Sequence, residues 1–181
     1  MFRISQYMRE LAHAEQTGHY PEVRERKARG PVVIWNLIRR CNLTCKHCYA
    51  LSADHDYVGE LTLPEVFTVM DDLKGYGVPA LILSGGEPLL RPDIFDISAQ
   101  ARKLGFYTGL STNGTLIDRP LAQRIAQEGF DYVGISLDGL KPTHDKFRRL
   151  DGAFDRSLAA VRFLAEFGVK VGLRFTMTAM N

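Results

Sequence analysis

The sequence predicts an α/β fold with parallel strands, and three observations predict it. Strand-length apolar runs alternate with amphipathic, helix-length stretches along most of the chain. The first apolar run, residues 32–38, is nearly continuous, which suits a parallel strand buried on both faces. Polar, glycine-rich or cysteine-containing turns follow the strands directly, at the sheet edge where such folds place their chemistry. A doubly wound nucleotide-binding sheet is the competing topology. No G-x-G-x-x-G follows any strand, which counts against it.

Ile4, Tyr7, Met8 and Leu11 recur at helical spacing and predict a short amphipathic helix over residues 3–12. Residues 18–30 are rich in charge, contain Pro21 and read as a solvated arm. Residues 1–30 are thus set apart from a core at 31–181. After the first strand and a polar stretch, Thr62, Pro64 and Glu65 form a capping-box pattern that opens a helix ending at Gly75. Residues 80–83 are the second strand and 93–104 the second helix. Residues 106–110 are the third strand and 120–128 the third helix. Residues 132–137 are the fourth strand and 154–167 the fourth helix, with a long loop between them. Residues 169–177 close the chain as a fifth strand. Trp35 and Met177 read as core.

Composition excludes several function classes. The 181 residues suffice for one sizeable core, and 45% hydrophobic with 24% charged residues is ordinary for a globular protein. A net charge of +2 compels neither a nucleic-acid nor a membrane partner. No membrane-length apolar run and no signal-peptide core is present, so a reducing, cytoplasmic setting is expected.

All 3 cysteines lie in the loop after the first strand, as Cys41, Cys45 and Cys48 in C-x3-C-x2-C spacing. Three thiolates on one short loop converge readily on a metal centre. Iron–sulfur clusters usually take four cysteines. Three supplied locally leave one iron open, and reactive metal chemistry needs an open position. A structural zinc site with His47 or His55 as fourth ligand is the alternative. A disulfide is disfavoured by the odd count.

The later strand ends carry their own chemistry. Gly85 and Gly86, before Glu87 and Pro88, allow backbone to approach a ligand closely; a plain turn opening a helix reads the same way. Ser111, Thr112, Asn113 and Gly114 follow the third strand, where Asn-Gly is also a frequent turn pair. Ser136 and Asp138 share one face of the fourth strand end. Arg174 sits between Leu173 and Phe175 in the fifth strand and needs an anionic partner, either a ligand carboxylate or Asp138. Arg148 and Arg149 fall in the long loop and read as solvated.

Taken together, the cysteine loop with Tyr49 at its end, the Gly-Gly-Glu-Pro segment and the two later strand-end motifs resemble the radical S-adenosylmethionine (SAM) superfamily. The likeness runs from about Val32 onward and is nearest to the tetrapyrrole-modifying group. It implies a partial (βα)6 TIM-like barrel, cut short after strand five. It implies a 4Fe–4S cluster on Cys41, Cys45 and Cys48. It also implies SAM contacts from Tyr49, Gly85, Gly86, Glu87, Thr112, Asn113, Ser136, Asp138 and Arg174. The implied activity is SAM cleavage to a 5′-deoxyadenosyl radical, with electrons from a flavodoxin or ferredoxin. The implied substrate is a sirohaem-derived tetrapyrrole losing propionate side chains in haem d1 biosynthesis. A peptide-modifying maturase shares these motifs, and a zinc-binding module is the non-enzymatic alternative.

Overall fold

The computed structural model describes residues 4–19, 30–179 and 181, so the charged arm expected at 18–30 lies almost wholly outside the described residues. Five strands form one sheet: β1 (Val32–Asn36), β2 (Ala80–Ser84), β3 (Tyr107–Thr112), β4 (Tyr132–Ser136) and β5 (Val171–Arg174). They lie side by side in chain order, and every neighbouring pair is parallel. The helices are α1 (Ile4–Thr17), α2 (Leu63–Gly75), α3 (Ile94–Lys103), α4 (Arg119–Glu128), α5 (Lys141–Arg148) and α6 (Ala153–Glu166). A doubly wound sheet reverses its strand order at a switch point. This order never reverses, so the sheet is part of a singly wound barrel wall.

Register assigns the two faces. Leu81, Leu83, Leu110, Val133 and Ile135 point to one side and are buried in the core with Val66, Met70, Ile97, Ile125 and Leu164 of the helices. The other side carries Ile34, Ser84, Ser111, Ser136 and Arg174. This corrects the reading of β1 as buried on both faces. Val32 and Ile34 are about half exposed, because the concave side of the sheet has no helical layer over it.

Local signals set most boundaries. Glu65 Oε2 accepts from the Thr62 N–H at 2.8 Å and from its hydroxyl at 2.7 Å, which opens α2. Asp118 accepts from the Leu121 N–H at 2.9 Å and caps α4, which ends on left-handed Gly129. Arg91 is buried and donates to the carbonyls of Leu37 and Leu61, each at 2.8 Å, clamping the exit of β1 to the approach of α2.

Three expectations change. α1 runs beyond residue 12. The first strand stops at Asn36, with Leu37 and Ile38 buried in the loop that follows; burial, not pairing, accounts for their apolar character. The fifth strand covers only four residues, and Met177 is exposed rather than core. In addition, the loop expected before the last helix contains α5. Half of its eight residues are charged, so its apolar signal is thin; only His144, Phe147 and Arg148 are buried. No helix among the described residues is long and apolar enough to cross a membrane.

The helix-facing side of the sheet makes unequal demands on side chains from its centre to its edge. Leu110→Ala, at a fully buried position, is expected to cost about 2–5 kcal/mol in urea unfolding. Leu173→Ala, at an exposed position of β5, is expected to stay within about 0.5 kcal/mol.

Candidate functional site

The C-terminal ends of the strands surround a cavity of about 480 Å³. Cys41, Cys45 and Cys48 line it from the β1–α2 loop. Gly85 and Gly86 line it after β2, Thr112 and Asn113 after β3. Ser136 and Arg174 complete the wall from β4 and β5, and Tyr49 stands exposed at the rim. Glu87 and Asp138 do not line the cavity. Both are fully buried behind its wall, where they hold the lining residues.

Close backbone packing explains the glycine pair. The Gly86 N–H donates to the Ile38 carbonyl at 2.6 Å, and the Glu87 N–H to the Arg40 carbonyl at 2.9 Å. A Cβ at Gly86 would lie 2.3 Å from the Arg40 oxygen; one at Gly85 would lie 2.3 Å from the Ile38 oxygen. The glycines therefore press the β2 loop against the three residues that lead into Cys41.

Glu87 continues that contact across the sheet. Its carboxylate accepts from the Thr112 hydroxyl at 2.7 Å, the Asn113 N–H at 2.9 Å and the Leu89 N–H at 3.2 Å. Burial pushes its carboxyl above the usual range, and the three donors pull it back. Asn113 in turn donates from Nδ2 to Asn42 Oδ1 at 2.9 Å and lies 3.9 Å from Cys41 Sγ.

On the far side, Arg174 crosses β4 and donates to the Ser111 hydroxyl. Gly134 makes the crossing possible, since a Cβ there would lie 2.7 Å from Arg174 Cδ. Asp138, considered above as a partner for Arg174, is paired with Arg148 instead. Its other oxygen accepts from the Thr176 N–H at 3.0 Å. Arg148 is buried and lines the cavity, which corrects its reading as solvated; Arg149 is exposed. Sequence reading missed Arg148 and His144. Their i, i+4 spacing on one helix face was the available signal.

The donor set fits an iron–sulfur cluster. The three thiols are free, and they face one cavity. Cys41 Sγ has the Leu43 N–H at 3.4 Å, and Cys45 Sγ has Arg148 Nη1 at 3.6 Å, the kind of donors thiolate sulfur accepts. A cluster takes each sulfur on a different iron and does not ask them to meet at one point. Zinc does ask this, and among the described residues no three His, Cys, Asp or Glu side chains are grouped to hold one ion. His47 faces Asp138 at 3.4 Å, and the His55 ring lies 4.2 Å from that of Tyr57. Burial pushes the Cys41 thiol up to about 11 and moves the Cys45 thiol upward as well, so a bound metal must displace protons from them.

Residues 35–181 match the profile of the radical SAM superfamily. The chain belongs to the radical SAM superfamily. This radical SAM chain is 52% identical to the Pre-heme d1 synthase of Dinoroseobacter shibae, over 100% of its own length and 44% of that protein's. It is 48% identical to the Fe-coproporphyrin III synthase of Methanosarcina barkeri, over 86% of the chain and 39% of the relative. A solved structure of native anSMEcpe with bound AdoMet matches with a TM-score of 0.64 at 26% identity, covering 78% of this chain and 42% of that one. The chain spans less than half the length of these relatives.

Two outcomes follow from the site's packing. Gly86→Ala drives a methyl into the backbone before Cys41 and is expected to cost about 1–3 kcal/mol in denaturant unfolding. Cys41 holds its proton to higher pH when folded than when unfolded. Its contribution to the stability of the metal-free protein is therefore full below the ordinary thiol value of 9.0 and lost as pH rises toward about 11. Thermal midpoints are expected to fall more steeply over that window in the wild type than in Cys41→Ser; parallel slopes would contradict this assignment.

Proposed function

We propose that this chain is the SAM-cleaving core of a radical SAM enzyme whose substrate is a sirohaem-derived tetrapyrrole, with loss of propionate side chains on the way to haem d1. The gathering of three free thiols, the glycine pair and the β3–β5 polar wall around one cavity carries the first part of this reading. The 52% identity to a Pre-heme d1 synthase supports the second. In this reading Cys41, Cys45 and Cys48 hold a 4Fe–4S cluster. When bound, it supplies the electron that cleaves SAM to a 5′-deoxyadenosyl radical.

The chain's own residues position the cofactor. The backbone at Gly85 and Gly86 offers acceptors to the SAM ammonium. Arg174, with Ser111 and Ser136 on the same face, offers donors to its carboxylate. Thr112, Asn113 and Tyr49 line the same cavity and would complete the SAM contacts. Glu87 and Asp138 act from behind the wall by fixing Thr112, Asn113 and Arg148. A flavodoxin or ferredoxin in a reducing cytoplasm is the proposed electron donor.

Anaerobic reconstitution with iron and sulfide, followed by SAM and a reductant, tests the reading. Uptake of about four irons per chain and formation of 5′-deoxyadenosine are expected, and both should vanish in Cys45→Ala. Zinc retained without iron or sulfide would sink the cluster assignment. Turnover of a precursor peptide but not of decarboxylated sirohaem would move the substrate to the peptide-modifying class.

A further inference from the structure

Arg148 has no place in the cofactor contacts above, yet it is held from several directions. Its side chain is only 9% exposed. Nη2 donates to Asp138 Oδ2, while Nη1 lies 3.6 Å from Cys45 Sγ. The helix that carries it is clasped to the cysteine loop. The Lys46 N–H donates to the Phe147 carbonyl at 2.9 Å, and the Phe147 ring lies 5.2 Å from that of His47. Asp145, on the same helix, accepts from the Gly152 N–H at 2.9 Å and the Phe154 N–H at 2.8 Å, which fixes α5 against the start of α6. The guanidinium is therefore aimed rather than free to swing. Arg174, the other arginine lining the cavity, donates to Ser111 instead.

We propose that Arg148 is a positioning residue for the electron that enters the cluster: anchored on Asp138, it directs an N–H at the Cys45 sulfur and raises the cluster's reduction potential. This rests on the cluster reading above. One electron from a low-potential external donor adds negative charge that spreads onto the ligating sulfurs. Hydrogen bonds to those sulfurs and local charge are among the levers that set the potential. Asp138 offsets much of the guanidinium charge, so the directed N–H carries the larger share. Lysine cannot reproduce this, because one ammonium on a flexible stem lacks the planar fork that reaches Asp138 and Cys45 together.

The test compares wild type, Arg148→Gln and Arg148→Lys after anaerobic reconstitution. Iron and sulfide are counted, and a mediated redox titration is followed by electron paramagnetic resonance. All three are expected to load alike. The Gln variant should reduce at least tenfold less favourably at a given potential, a downward shift of 59 mV or more for one electron, with Lys in between. Full loading with an unshifted potential in the Gln variant overturns the proposal. If the Gln variant fails to load, the Lys variant decides by the same criterion. If neither loads, the arginine is structural only and the proposal falls. A wild type that takes up no iron and sulfide refutes the cluster reading instead.

Discussion

The geometry of the site depends on one buried carboxylate. Glu87 accepts three hydrogen bonds, two of them from the β3 loop, while its own N–H holds the carbonyl of Arg40 next to Cys41. Burying an ionised group is costly unless its lone pairs are satisfied. Here the same bonds that satisfy it fix three loops relative to one another. Asn113 extends the linkage to Asn42 and the Cys41 sulfur, and Asn42 donates onward to the Thr115 hydroxyl at 2.9 Å. The cysteine loop is thus held from outside by the β2 and β3 ends and by α5, in addition to its own short-range bonds.

A division of labour between the two faces of the sheet makes room for that arrangement. Apolar β-sheet residues face the helices and supply the core. The concave face is left with small and polar residues at its upper end, where Ser84, Ser111 and Ser136 occupy successive strands. Gly134 shows why small residues matter there. It leaves a channel across β4 through which Arg174 reaches Ser111. A larger residue would force the arginine off this line and open the wall.

Much of this was legible in the sequence, because the signals are local. The cysteine spacing, the capping box at Thr62 and Glu65, and the glycine pair each occupy a few adjacent residues. The strand–helix alternation then places them at one edge. What was not legible depends on contacts distant in sequence. α5 hides because its exposed face is charged and its buried face is three residues wide. Arg148 looks solvated until Asp138 and Cys45 are brought to it. The glycine pair lines the cavity, but its close packing on the backbone of Ile38 to Arg40 could not be read locally. The first strand looked doubly buried because an apolar run does not reveal that Val32 and Ile34 face the open side of the sheet.

β5 pairs with β4 along one side only, and among the described residues no strand lies along the other. Its free edge is a template with a fixed direction. A segment docking there in the parallel sense of the sheet would have its carboxyl end delivered to the rim beside Arg174. Whatever chemical groups follow that segment would then enter the cavity beside Arg174.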